Sequence, residues 1–463
     1  MKRLLTLVLI GCLMCNIFFV AFCSSAADRW DVNQDGSKNM KDVLALRKFI
    51  AGLDTSSIQE KNGDVNLDGK TNMKDVLFLR KYLIGLVTED GVEITTTTRK
   101  PTTTTAAPVK ATEMRAVWLA YYEVADLMKS SADATKKAID SAMKTCASYG
   151  ANAVIFHVRA YSDAYYKSSV FPTHKSVTAL VKAGFDPLTY AVSSAHAQGL
   201  ELHAWINPYR VGTTLDNARC SDTFLFNSRY YYSPASANAR SLIVKGIQEL
   251  VKNYKIDGIH LDDYFYPEGL PTTKQSYDIG YTSGSVANFR RTQVNLLVKT
   301  AYKAAHDINP NISFGISPGG TIAKDRDNMY ADVETWLSTA GYVDYLCPQI
   351  YFGFKNGSAP FKDRTAQWAT LPRAKGVKLY IGMAPYKAGL LEDTWAGAGK
   401  TEWAGGGDIL ARQVQYLRTR SDVNGFMLFS YRYMNKSAFT TSEYNLSIAS
   451  KEIDALITEI KKH

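Results

Sequence analysis

The sequence predicts an α/β chain: a (β/α)8 barrel of the TIM type, tied by a Thr/Pro-rich linker to a small all-α module on its N-terminal side. Three observations carry this reading. Apolar strand-like runs alternate about eight times with amphipathic helical stretches over residues 113–463. A duplication at an offset of 33 residues sets Asp31 against Asp64. A Thr/Pro tract separates the two regions. The length of 463 residues accommodates both. With 46% hydrophobic and 21% charged residues the chain is globular, which excludes a mainly disordered, collagen-like or fibrous protein.

Residues 1–27 read as a signal peptide. Lys2 and Arg3 supply the charged start, Leu4 to Phe22 is almost wholly apolar, and Ser25-Ala26-Ala27 supplies small residues for cleavage before Asp28. Export follows, with no membrane attachment after cleavage; an uncleaved anchor is the alternative. Leu9-Ile10-Gly11-Cys12 resembles a lipoprotein box, but the apolar stretch before it is short. Cys12, Cys15 and Cys23 leave with the signal. Cys146, Cys220 and Cys347 remain, dispersed and odd in number, so buried free thiols are expected rather than disulfides or a zinc cluster.

The net charge of +10 points to an anionic partner: nucleic acid, a membrane surface or an acidic polymer. Export and the lack of a dense Lys/Arg cluster count against nucleic acid. Tyr (28) and Trp (7) are plentiful, and sugar-binding surfaces favour such rings, which pair a flat apolar face with a hydrogen-bonding edge.

The module, residues 28–90, carries the duplication. Asp31 to Asp42 reads DVNQDGSKNMKD and Asp64 to Asp75 reads DVNLDGKTNMKD, each followed by a helical run, VLALRKFIAGL or VLFLRKYLIGL. Calcium takes six to eight hard oxygens, and a twelve-residue loop offers them from positions 1, 3, 5, 7, 9 and 12. Here these are Asp31, Asn33, Asp35, the Ser37 carbonyl, Asn39 and Asp42, then Asp64, Asn66, Asp68, the Lys70 carbonyl, Asn72 and Asp75. Gly36 and Gly69 fall at position 6, where the chain turns sharply. Two structural calcium ions are expected. A pair of Asx-rich turns is the bland alternative, but both copies fill every ligand position.

This segment, Asp31 to Leu86, resembles the type I dockerin of bacterial cellulosomes. The resemblance implies a cohesin domain on a scaffold protein as partner. Its recognition positions fall on Met40, Lys41, Arg47 and Lys48, and on Met73, Lys74, Arg80 and Lys81. The sets are identical, so either repeat could face the cohesin. Lys38 and Thr71 depart from the family at position 8, where an aliphatic residue is usual. Residues 91–112 are the linker; TTTTRKPTTTTAAPVKAT from Thr95 cannot bury enough surface to fold and reads as an extended tether whose threonines are candidate O-glycosylation sites.

In residues 113–463 the expected strands are 115–119, 153–159, 200–207, 258–262, 312–317, 345–351, 379–384 and 425–430. Helices are expected at 132–149, 187–198, 241–252, 288–308 and 408–420. A doubly wound open sheet is the alternative, but no Gly-rich dinucleotide turn is present. Barrel enzymes keep their chemistry at the C-terminal ends of the strands. Alternation along each strand then selects the inward side chains. These are His157 and Arg159; His203, Trp205 and Asn207; His260, Asp262 and Tyr264; Ser317; Gln349 and Tyr351; and Tyr431 and Arg432. Tyr266 joins them as a sugar platform.

His157, His203 and His260 could converge on zinc, but no local HxH or HExxH spacing supports it, and no catalytic cofactor is expected. Acid–base chemistry fits better, because glycosidic hydrolysis needs two carboxyl groups, one of them protonated. Asp262 is the expected inward carboxylate. Asp263 is expected to point sideways. Asp163, in RAYSDAYY, is the expected second group, and Glu402 is its alternative.

The barrel is similar to the glycosyl-hydrolase-like family 10, the domain-of-unknown-function 187 barrels. The shared stretches include MRAVWLA, NAVIFHVRAYSDAYY, GFDPLTYAVSSAHAQGLELHAWINPYR, DGIHLDDYFYP, ISFGISPGG, VDYLCPQIYF and GFMLFSYRY. The resemblance implies a secreted glycoside hydrolase, and some relatives cut peptidoglycan glycan strands. The family's acidic pair falls on Asp262 and Asp263, and its strand-two Arg and loop Asp on Arg159 and Asp163. His157 stands where relatives often carry Gln. DGIHLDDY also resembles the chitinase DGxDxDxE strand, but Tyr264 occupies the acid position there. The combined expectation is a cellulosome-associated, extracellular hydrolase of a peptidoglycan-like glycan. A plant-wall polysaccharide hydrolase and a non-catalytic carbohydrate-binding barrel are the alternatives.

Overall fold

The computed structural model describes residues 29–54, 56, 58, 60–83, 87–88 and 113–462. The expected signal peptide, with Cys12, Cys15 and Cys23, and the Thr/Pro linker lie outside these residues. The chain divides into two compact units, residues 1–109 and 110–463.

In the first unit, helices Met40–Ile50 and Met73–Leu83 follow the two Asp/Asn-rich loops. Asn39 caps the first: its side chain accepts from Lys41 N, while Asp42 reaches back to Asn39 N at 2.8 Å. The second loop repeats both bonds through Asn72 and Asp75. Val43, Leu46, Val76 and Leu79 meet in a small core closed by Trp30, which stacks on Tyr82 at 3.9 Å.

The second unit is a barrel. Its strands are β1 (Met114–Leu119), β2 (Ala153–Arg159), β3 (Glu201–Ile206), β7 (Gly258–Leu261), β8 (Ser313–Ile316), β9 (Tyr345–Leu346), β10 (Lys378–Leu379), β11 (Ile381–Met383) and β12 (Gly425–Phe429). All neighbours run parallel, in the order β10-β9-β8-β7-β3-β2-β1-β12-β11. β10 and β11 are halves of one strand interrupted at Tyr380: the first pairs with β9 and the second with β12, which closes the eight-stranded ring. Long helices Ala132–Ser148, Pro187–Ala197, Ala237–Asn253, Val286–His306 and Ile409–Arg418 cover it. Each starts at a polar residue, with Ser131, Asp186, Ser236 and Ser285 accepting from first-turn amides in four of them. Helix Leu446–Ile460 packs against Ile409–Arg418.

One insertion was not anticipated from the sequence. Between β3 and β7, strands β4 (Arg210–Gly212), β5 (Thr223–Phe226) and β6 (Arg229–Tyr232) form an antiparallel sheet. Its hairpin turns on Asn227 and Ser228, both at positive φ (46° and 58°).

The barrel interior holds polar rings. Glycines make room for them: a Cβ on Gly258 would lie 2.4 Å from His203 Nδ1, and one on Gly315 would lie 2.0 Å from the Tyr345 ring. Side chains at strand starts fill the lower barrel, and only those at strand ends reach the mouth.

Candidate active site

A cavity of about 310 Å³ opens at the C-terminal end of the barrel. Of the residues selected by alternation, it is lined by His157, Trp205, Asn207, Asp262, Tyr264, Ser317, Gln349 and Tyr351. It also uses residues the alternation argument passed over: Asp263, Trp118, Tyr121, Tyr122, Arg210 and Phe429.

Asp262 and Asp263 follow β7, where the strand ends in a bend. Asp262 is 5% exposed and accepts from Gln349 Nε2 at 3.0 Å and from Asp263 N at 2.9 Å. Burial raises its pKa, while hydrogen bonds from Asp263, the Arg210 charge and Gln349 hold it back. Asp263 does not point sideways; it lines the cavity beside Asp262. Burial, then the charge of Asp262, pushes its pKa well above the usual carboxylate range. Both pKa values are raised, that of Asp263 further, so Asp263 is the member of the pair that keeps a proton more readily.

The cavity floor has polar atoms without partners. His157 accepts from Tyr121 N at Nδ1 (3.2 Å) and stacks on Trp205 at 3.7 Å. Accepting at Nδ1 puts its proton on Nε2. Burial, with Arg210, His260 and Arg159, holds its pKa well below the usual value, so the ring is neutral. His157 Nε2, Trp205 Nε1 and Asn207 Oδ1 are buried without hydrogen-bond partners among the described residues. Two donors and one acceptor thus wait at the floor, which is unusual for buried groups outside a ligand site. At the rim, the Arg210 guanidinium lies 4.8 Å from the Tyr161 ring centroid and 4.5 Å from that of Tyr264. Its protein hydrogen bond is to Tyr161 Oη at 3.3 Å, and it has no ion-pair partner among the described residues.

Other selected residues lie elsewhere. His203 and His260 sit one layer below the cavity, in a closed file of hydrogen bonds. Trp118 Nε1 donates to His260 Nε2 (3.2 Å), His260 Nδ1 donates to Tyr345 Oη (2.9 Å), Tyr345 donates to His203 Nδ1 (3.1 Å), and His203 Nε2 donates to Glu201 (3.2 Å). These rings are two residues too early on their strands to reach the mouth, and the three histidines do not converge on a zinc site. Arg159 lies under the β2 end, donating to Tyr161 O and Pro208 O; the register of β2 against β3 slips between His157 and Arg159, so alternation fails there.

Asp163 is 8% exposed, accepts from Asn217 Nδ2 at 3.2 Å and is pushed up to about 6 by burial, but it is not among the residues lining the cavity. Glu402 is a loop staple, accepting from Phe354 N and Lys355 N. Tyr266 is wholly buried against Tyr330. Tyr431 and Arg432 line a separate groove, with Arg432 paired to Asp126 at 2.9 Å.

In the N-terminal module both loops have one geometry. Gly36 and Gly69 share φ +83°, and Asp42 and Asp75 are wholly buried. Asp31 and Asp64 each accept two amides of their own loop. Half of each loop's six oxygens are Asn amide or backbone carbonyl oxygens; among the described residues no cluster of three or more His, Cys, Asp or Glu side chains is already gathered for a metal. The donors are all hard oxygens, the type calcium takes. Met40, Lys41, Arg47 and Lys48 are exposed, as are Met73, Lys74 and Arg80, while Lys81 is half-buried.

The glycosyl hydrolase-like 10 family matches residues 113–396, and the type I dockerin domain matches residues 29–84. The chain belongs to the glycosyl hydrolase-like 10 family. Glycosyl hydrolase YngK of Bacillus subtilis is 31% identical over 367 residues, covering 70% of this chain and 69% of that protein. Glycosyl hydrolase DigH of Escherichia coli K12 is 28% identical over 329 residues, covering 62% and 73%. Among solved structures, the PgaB (BpsB) glycoside hydrolase domain of Bordetella bronchiseptica aligns with a TM-score of 0.48 at 11% identity, over 71% of this chain and 97% of that one. The barrel is a glycoside hydrolase, and the module joined to it is a type I dockerin.

Proposed function

We propose that this glycoside hydrolase cleaves an N-acetylated amino-sugar glycan of the peptidoglycan type, with Asp262 and Asp263 as its acid–base pair. One observation carries the reading. Asp262 and Asp263 line the cavity as adjacent residues, with Asp262 accepting from Asp263 N at 2.9 Å, whereas the usual two-carboxylate mechanisms need the carboxyls about 5 Å or more apart across the bond. The group opposite then comes from the substrate. Asp263 donates its proton to the glycosidic oxygen as the bond to the anomeric carbon breaks. The acetamido oxygen of the same sugar attacks that carbon, while Asp262 accepts the acetamido N–H and stabilises the positive ring that forms. Water, deprotonated by Asp263, then opens the ring and restores the pair. The unpartnered His157, Trp205 and Asn207 atoms suit a sugar rich in donors and acceptors. Arg210 suits a carboxylate on the glycan, and the positive net charge agrees.

The test is digestion of peptide-free glycan strands, chitin oligomers and plant glucans, with products identified by mass, beside strands stripped of their acetyl groups. Cleavage is expected only where the acetamido group is present. Equal cleavage of de-acetylated strands or plant glucan contradicts the reading.

The dockerin reading adds two structural calcium ions, one per loop, and capture by a cohesin through the Met40 or Met73 face, outside the cell after signal removal. In this reading Met40, Leu44, Met73 and Leu77, each at least 54% exposed, supply the apolar contact. Chelation with EGTA is expected to abolish cohesin binding and leave glycan cleavage intact; unchanged cohesin binding contradicts it.

A further inference from the structure

Six of the seven tryptophans are buried, none more than 4% exposed; Trp395 is 88% exposed. An indole displayed this far keeps both of its flat apolar faces in water, where a ligand that covered one would gain. The loop that carries it is pinned. Asp393 (4% exposed) and Ala396 (2%) face inward on either side of it. Lys387 Nζ holds Asp393 at 2.6 Å in a buried ion pair. Asp393 N donates to Lys400 O, Ala396 N to Asp393 O, and Gly357 N to Ala396 O, all at 2.8–2.9 Å. A Cβ on Gly399 would meet Lys355 O at 2.4 Å, so this loop presses directly on the one after Tyr351. Glu402 ties the two loops again.

The loop also belongs to the mouth. It leaves the C-terminal end of β11, and Tyr386 at its start packs on Tyr351 (5.8 Å) and Phe429 (6.1 Å), both of which line the cavity. From the cavity wall the path runs through Tyr386, Lys387 and Asp393 to Trp395, two residues further. The exposed neighbours are Thr394 and the Glu392–Lys400 ion pair, with Leu391 (43% exposed) beside them. One rigid indole with a polar surround offers far less than the roughly 800 Å² per partner of a stable protein interface. It suits the flat face of one pyranose, whose hydroxyls the rim can meet.

We infer that Trp395 is the floor of a second, distal glycan subsite, which holds the chain several units from the acid pair and favours long strands over short oligomers. This rests on the glycan-hydrolase reading. The test compares full-length wild type, Trp395→Ala and Trp395→Phe on peptide-free peptidoglycan strands and on chitotriose, with binding to the same strands measured by co-sedimentation. Trp395→Ala is expected to weaken strand binding and raise KM for strands about tenfold. It should leave kcat and all chitotriose kinetics unchanged, and Trp395→Phe should recover most of the loss. Equal strand binding by wild type and Trp395→Ala overturns the subsite, as does an equal loss on both lengths or no wild-type binding to strands. Wild type that binds strands through Trp395 but cuts none overturns the hydrolase reading and leaves the subsite standing.

Discussion

The barrel interior has two polar layers built from the same residue types, and they differ in one respect. In the lower layer His260, Tyr345 and His203 satisfy one another, from Trp118 at the cavity wall down to Glu201. In the upper layer His157, Trp205 and Asn207 keep atoms without partners among the described residues, and burial raises the pKa of both adjacent carboxyls. A closed file contributes stability and specificity of packing; an open one leaves its desolvation cost to be recovered by a ligand. Between these two layers it is hydrogen-bond satisfaction, not polarity, that differs.

The sharpest break between the layers is chemical. Asp262→Asn is expected to lower kcat about 10³-fold on glycan strands with the melting temperature retained. A folded, fully active variant would erase the distinction. The lower layer should answer the other way. Tyr345→Phe strips partners from His260 Nδ1 and His203 Nδ1, and should cost about 1–3 kcal/mol in urea unfolding while kcat stays within a few-fold. Loss of activity at unchanged stability would put the lower layer in the chemistry.

Asp163, buried outside the cavity, makes a smaller test of the same idea. Its folded pKa, about 6, lies above the unfolded value, so its contribution is whole below about pH 4 and lost as pH rises through about 6. Asp163→Asn should therefore stabilise the barrel by up to about 2 kcal/mol at pH 7 and not at pH 4. A pH-independent difference would show that burial does not govern this group. The smallest effect concerns the rim. Arg210→Gln should raise KM about tenfold for strands bearing free carboxylates and little for neutral chitin oligomers. Equal effects on both would make Arg210 a partner of Asp262 alone.

How much of this was legible in the sequence follows from how local each feature is. Both dockerin loops were, because Asp31 to Asp42 and Asp64 to Asp75 hold the whole repeated pattern and its helix caps within twelve residues. Barrel strands were legible through alternation, which also set His203 and His260 on the inward face. Alternation carries no depth, so rings in the lower layer looked like rings at the mouth. Asp163 looked catalytic because an acidic residue follows a strand; only the folded loop turns it away from the cavity. Arg210 was missed because its two tyrosine neighbours, Tyr161 and Tyr264, come from distant turns. The β5–β6 hairpin had a signal in TFLFNSRYYY, alternating residues around an Asn-Ser turn.

The proton donor is the centre of the account, and one comparison tests it most directly: kcat/KM on acetylated glycan strands for Asp263→Asn beside Asp163→Asn, across pH. Asp263→Asn should lose about 10³-fold, and Asp163→Asn should keep near wild-type activity. Both wild type and Asp163→Asn should lose rate as pH rises past the elevated pKa of Asp263, and again at low pH as Asp262 takes up a proton. An Asp163→Asn variant that is inactive beside an active Asp263→Asn would contradict the account.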